Sequence, residues 1–246
     1  ETTYMETYIG IGILGVFFTV FAVAIVAGRR HAKAMKKFSG TIGFSYMPHA
    51  DDDEKFLRQF NRLPLFSRGR NRDVWNVMTG KVLDFGVTIM EFRYSNNDAS
   101  THSTRSTSTQ TVVILESGRL NIPLFSLAPH NNKDELGKKV FSALAPHFAK
   151  QLIPDDIDFD SYPLFSKFYL LKGSRKNEEV VRKFFNSNVI EYYENHKGLC
   201  TDGAGKAIMC YELDKVLNPE DISSFLNQTI KVCEMFQRAG GSTPTL

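Results

Sequence analysis

Tryptophan occurs once in this chain and cysteine only three times, at Cys200, Cys210 and Cys233. An odd number of cysteines with no metal spacing excludes a disulfide scaffold and a structural zinc site. Cys200 and Cys210 fall on expected strands and Cys233 on the apolar face of an expected helix, so they read as small buried hydrophobes kept reduced. A Cys200–Cys210 bridge would require a domain outside the cytoplasm. The six histidines are scattered, and neither HExxH nor GxSxG occurs. Gly203-Ala204-Gly205-Lys206 is no phosphate loop, because Cys200 stands where glycine is needed and Ala207 where Ser or Thr is needed. Asp156, Asp158 and Asp160 begin like a calcium loop, but Ser161 replaces the turn glycine and Lys167 the bidentate Glu. An exposed strand edge is expected there instead. No catalytic residue, metal or cofactor is expected.

Charge is missing altogether from Tyr8 to Gly28, which is rich in Ile, Leu, Val, Phe, Ala and Gly. About 20 apolar residues at ~1.5 Å per residue cover a hydrocarbon core of ~30 Å, so a transmembrane helix is expected over 8–28. Lys and Arg are absent before it, whereas Arg29, Arg30, His31, Lys33, Lys36 and Lys37 follow at once. That asymmetry puts residues 1–7 outside and the rest in the cytoplasm. The basic run should continue as a juxtamembrane helix over 29–40, with Arg29, Arg30, Lys33, Lys36 and Lys37 against anionic headgroups. Arg68, Arg70 and Arg72 form a second basic cluster suited to phosphate or a membrane surface. The net charge of +3 is too small to argue for nucleic acid, and the cluster lacks the aromatic platform of a single-strand reader.

The soluble part, 41–240, reads as α+β: a mainly antiparallel sheet with helices packed on one face, and room for a second lobe from residue 155. Asp51 should cap a short helix whose first turn holds Asp52, Asp53 and Glu54. Strands are expected at Val74–Met78, at Val87–Tyr94 with Met90, Phe92 and Tyr94 on one face, and at Thr111–Leu115. The first turn falls either at Thr79-Gly80 or around Asp84-Phe85-Gly86. Residues 95–110, dominated by Ser and Thr, read as a hairpin loop too polar to join a core. A helix capped by Asn131 or Asn132 should follow, with Leu136, Val140, Phe141 and Leu144 on one face. Two short helices are expected over 178–185 and 189–194, the second capped by Ser187 or Asn188. A hairpin then turns around 202–205. The last helix has the clearest signals: Asn218 as cap, Pro219 in the first turn, an apolar stripe from Ile222 to Cys233, and Gly240 as stop. A disordered tail is expected over 241–246. Pro-Leu-Phe-Ser occurs three times, from Pro64, Pro123 and Pro163. Each copy reads as an extended edge with its phenylalanine in the core.

Three stretches together carry a resemblance: Leu63–Arg70 leading to Asn76–Gly80; Asp156–Phe159 with Phe165-Ser166 and Tyr169–Gly173; and Val181–Phe185. They resemble a family of uncharacterised bacterial single-pass membrane-anchored proteins. The resemblance implies a bacterial inner-membrane setting and supplies no activity and no site residues. The expected function is a non-enzymatic interaction module, as accessory subunit of a larger membrane complex. Its expected partners are membrane lipids and a membrane protein. A domain binding lipid or another apolar ligand is the alternative, and an enzyme with a dispersed site the third reading.

Overall fold

In the computed structural model the described residues are 22–23, 25–96, 106–130, 157–173 and 178–241. Helix α1 covers 25–41, and β1 (Ser45–His49) follows. Next come a short helix α2 (Asp53–Leu57) and two 3-10 turns, Arg58–Phe60 and Pro64–Ser67. Strands β2 (Arg70–Val82), β3 (Phe85–Asn96), β4 (Ser106–Glu116) and β5 (Ile122–Pro129) form the central run. Helix α3 (Pro163–Phe168) leads into β6 (Tyr169–Gly173), then α4 (Glu178–Phe184) and α5 (Ser187–Asn195). Strands β7 (Leu199–Gly205) and β8 (Ala207–Glu212) precede the long α6 (Pro219–Ala239).

All eight strands join one antiparallel sheet in the order β1-β2-β3-β4-β8-β7-β5-β6. The strands after residue 155 build no sheet of their own, since β8 pairs with β4 from Val112↔Tyr211 to Glu116↔Ala207. Alternation along the strands gives the sheet two apolar faces. One is covered by α1 and α3 to α6, with a cluster of Phe125, Phe165, Phe185, Tyr193 and Phe236 beneath them. The other is not open to solvent, as helices on one face alone would leave it. Leu57, Phe60, Leu63, Leu65 and Phe66, from the excursion over 51–69, close it against Met90, Phe92, Tyr94, Val112 and Ile114. Complete burial of a large apolar side chain stabilises by about 1.5–3 kcal/mol, so both layers contribute substantially.

Several expectations are met. Met90, Phe92 and Tyr94 share a buried face. Helix α6 starts at Pro219 after Asn218 and ends before Gly240, burying Ile222, Phe225, Leu226, Thr229 and Cys233. The first hairpin turns at Leu83-Asp84, with Val82 opposite Phe85, which decides between the two expected turns. Other expectations are corrected. The cap of α2 is Asp52, whose carboxylate accepts from Lys55 N at 2.9 Å, and α5 is capped by Asn186. The second hairpin is tighter than expected: Ala204 faces Ala207, and Gly205 turns the chain at φ 61°. Polar residues of 95–110 belong to strands after all. Ser95 pairs with Thr107 and Gln110 is fully buried, because ladder pairing satisfies the backbone whatever the side chain. Residues 157–159 form no strand; Ile157 N donates to Leu171 O at 2.8 Å and covers part of the β6 edge.

The three Pro-Leu-Phe-Ser copies adopt three conformations: a 3-10 turn at Pro64–Ser67, strand β5 from Pro123, and the start of α3 at Pro163. Their phenylalanines are all buried, as expected: Phe66 at 3%, Phe125 and Phe165 at 0% exposure. Remote partners select the backbone. Leu65 N donates to Asp202 Oδ2 at 2.8 Å, and Phe165 N donates to Glu194 Oε1 at 2.9 Å. Pro123 instead occupies the register shift between Ile122 and Phe125, where no ladder donor is needed.

The expected transmembrane helix lies mostly outside the described residues, as do the expected helix around 136–144 and the C-terminal tail. Among the described residues no helix is long and apolar enough to cross a membrane. Residues 25–28, the end of that span, form the exposed first turn of α1.

Candidate functional site

Strand β2 carries one extra residue relative to β3 between Arg70 and Asp73, and another between Trp75 and Met78. Each bulge contains an asparagine in the left-handed region, Asn71 at φ 49° and Asn76 at φ 50°. Asparagine tolerates that conformation better than most residues. The second bulge has a chemical consequence. Val74 and Val77 both enter the core beneath one face, so Trp75 and Asn76 are both left on the other, where α1 crosses.

Glu91 stands opposite Trp75 on β3 and is only 2% exposed. Its Oε1 lies 2.6 Å from His31 Nε2 of α1 and accepts from Asn76 Nδ2 at 3.1 Å. Tyr46 OH donates to Asn76 Oδ1 at 2.6 Å, and burial first, with the Glu91 carboxylate second, raises the pKa of that hydroxyl. A buried carboxylate is thus held by an amide and an imidazole that reaches it from α1. Beside this cluster opens a cleft of about 600 Å³. Trp75, Asn76 and Glu91 line it from the sheet, Pro48 and His49 from β1, and the first turns of α1 supply an apolar wall with Arg29. Its size falls in the range of about 300–1,000 Å³ usual for small-molecule sites.

A second polar constellation sits under the opposite layer and is sealed. Arg68 and Asp202 are both fully buried. Ser126 Oγ accepts from Arg68 Nη2 at 3.4 Å and donates to Asp202 Oδ1 at 2.5 Å, linking the two charges. Burial raises the Asp202 pKa, with Arg68, Ser126 and Leu65 N opposing. Burial also works against the Arg68 charge, yet Tyr211, Asp202, Tyr94 and Cys200 around it leave its pKa raised. Among the described residues, Arg68 Nε and Nη1, Gln110 Oε1 and Tyr211 OH have no hydrogen-bond partner. The network ties the Pro64–Ser67 turn to β5 and β7. With every member sealed from solvent, it reads as a staple rather than a reaction site.

The arginine cluster expected at a surface is therefore dispersed. Arg68 cannot reach a membrane or a phosphate in solution, because the turn before it folds it beneath the 51–69 layer. Arg72 is occupied by Glu54, through Nε at 3.0 Å and Nη2 at 2.8 Å, and by Phe66 O. Arg70 is exposed. Arg29, Arg30, Lys33, Lys36 and Lys37 are all exposed on α1, whose other side buries Met35 and Ser39. Sequence reading missed Glu91, Asn76 and Tyr46 and counted His31 only as one of a basic run. A glutamate between Met90 and Phe92 looks like the solvent side of a strand until α1 is known to cross it. The asparagines in β2 were the available hint of the bulge. No group of three or more His, Cys, Asp or Glu that could hold a metal ion occurs among the described residues.

No family model matches the chain, and no curated protein matches it. A solved structure of the mycobacterial trehalose monomycolate transport factor A, TtfA, is similar with a TM-score of 0.56 at 10% identity. The match covers 89% of this chain and 99% of that one, a likeness of fold.

Proposed function

We propose that this chain is a membrane-anchored, non-enzymatic accessory subunit of a larger membrane assembly. The supporting observation is the docking of α1. It enters with Val23, Ile25 and Val26 exposed at 62%, 40% and 46%, then buries Met35 completely and meets Glu91 through His31. A helix that leaves an apolar segment and is bonded to the sheet fixes the orientation of the domain relative to that segment. Such coupling suits a subunit that must present one surface to a neighbour in the bilayer. The exposed basic residues of α1 then lie against anionic headgroups, with the N-terminus outside and the domain in the cytoplasm of a bacterial inner membrane. The fold's likeness to TtfA, a trehalose monomycolate transport factor, is compatible with such a role.

Gentle-detergent purification of the full chain at native abundance tests the reading. A membrane protein should co-purify at fixed stoichiometry, and recovery of the chain alone would count against it. A second reading, binding of an amphiphile at the membrane surface, is favoured by the cleft beside Glu91, whose wall includes Ile25, Ala27 and Gly28 from the uncharged stretch 8–28.

A further inference from the structure

We propose that the tip of the β2–β3 hairpin, led by Leu83, is the surface through which this chain contacts its protein partner, and that the partner offers an apolar pocket with an acidic rim. The proposal rests on the accessory reading above and names where the partner binds. Two independent features meet at Leu83. Of the four described non-glycine residues at positive φ, Asn71, Asn76 and Asp214 are of the types that tolerate the left-handed region, whereas Leu83, at φ 53°, is not. It is also the most exposed large hydrophobic residue among those described, at 76%. An exposed leucine alone says little, since much of any protein surface is apolar. Leucine where glycine or asparagine would relieve strain, with its side chain in water, gains nothing inside the chain on either count. Residues that break local rules without internal compensation are characteristic of functional sites.

The tip is held rigid. Val82 pairs with Phe85 across the turn, Phe85 is buried, and Asp84 is ion-paired with Arg119 of the turn after β4. A preformed tip loses little freedom on binding. Its surroundings are basic: Arg62, Lys81, Arg119 and Lys206 are exposed at this end of the sheet, against Asp84 and Glu116. Glu116 lies opposite both Gly86 and Ala207, which brings Arg62 and Lys206 into the same neighbourhood, around a cleft of about 330 Å³. The position selects protein over lipid. Helix α1 meets the sheet at Glu91 through His31, and the chain has reached the level of Gly80 by Phe44, whose ring packs there. The first turns of α1, which leave the uncharged stretch, therefore lie toward the end of β2 opposite the tip. From Trp75, which faces Glu91, to Leu83 the chain advances about 25 Å at ~3.3 Å per residue. Under the anchored reading the tip thus points away from the bilayer.

The full chain, tagged and at native abundance, would be purified from native membranes in mild detergent as wild type and as Leu83→Asn. Asparagine suits the positive φ and removes the apolar contact. The Tm of the variant should rise by about 2–8 °C as the left-handed penalty is relieved. Retention of the co-purifying protein should fall about tenfold or more, the loss expected from one leucine side chain withdrawn from a buried contact. A photoreactive p-benzoylphenylalanine in place of Leu83 should crosslink to that same protein, whereas one in place of His49, exposed toward the other end of the sheet, should not. Full retention by Leu83→Asn overturns the proposal, as does a crosslink from position 83 to lipid or to a second copy of this chain, or equal crosslinking from position 49. A lowered Tm overturns the strain on which the choice of Leu83 rests. Unchanged retention when Lys81→Glu and Lys206→Glu are combined overturns the acidic rim. A wild-type chain that comes out alone removes the accessory reading and this surface with it, whereas a partner kept by Leu83→Asn removes the surface alone.

Discussion

Replacing Asp202 with asparagine should destabilise the domain far more than the near-identical shape suggests. The amide can still accept from Leu65 N and, with its nitrogen, donate to Ser126, so the polar contacts survive in altered form. What is lost is the buried negative charge facing Arg68, while the guanidinium, which does not deprotonate in proteins, keeps its charge. Removing one partner of a buried charge pair costs roughly 3–5 kcal/mol. At about 2–4 °C per kcal/mol for a domain of this size, the lower figure lowers Tm by about 6–12 °C. Arg68→Met alone should cost a similar amount at neutral pH, because Asp202 then stands buried without its cation. The double variant should recover most of the loss, with a coupling energy of about 2 kcal/mol or more in the cycle. A pH signature separates the two single variants. Asp202 has a folded pKa above its unfolded 3.8, so its contribution is fully present below that value and lost as pH rises through the folded pKa. Without the lowering influence of Arg68 that pKa climbs further. The deficit of Arg68→Met should therefore shrink on acidification, whereas that of Asp202→Asn should not. Thermal unfolding of the full chain in micelles, followed by far-ultraviolet circular dichroism, measures all four corners. Additive losses, or an unchanged Tm for Asp202→Asn, would refute the claim that the two charges are coupled.

Other changes follow from local geometry. Gly203→Ala would bring a Cβ within 2.5 Å of Ile122 Cγ2 and Phe125 Cε1, so about 1–3 kcal/mol should be lost in chemical denaturation, the range for overpacking. Asn76→Ala should cost more than Asn76→Gly by about 1–2 kcal/mol, the left-handed backbone penalty, and equal losses would deny strain at the bulge. Burial raises all three thiol pKa values, that of Cys210 to about 12, so a thiol reagent at mildly alkaline pH should label the chain only as it unfolds. Prompt labelling of the native protein would contradict that packing.

Features written in contiguous residues were readable in the sequence. Helix α6 announces itself because Asn218, Pro219, Gly240 and the stripe from Ile222 onward are local signals. The β3 face of Met90, Phe92 and Tyr94 follows from period two. The three Pro-Leu-Phe-Ser copies mark the boundary of such reasoning. Identical tetrapeptides become a turn, a strand and a helix start because Asp202, a register shift and Glu194 decide their backbones from a distance. Arg68 was misread for the same reason: three arginines around a glycine look solvated, and only the 51–69 layer folding over the sheet buries one of them. The Glu91 cleft needs α1 to cross β2 and β3 some 60 residues later in the chain, a contact no local pattern encodes.

The most direct test of the accessory role is the mass of the full chain released from native membranes in mild detergent, read by native mass spectrometry with its companions identified. The account predicts a defined complex with a membrane protein at fixed stoichiometry. A lone chain at native abundance would contradict it.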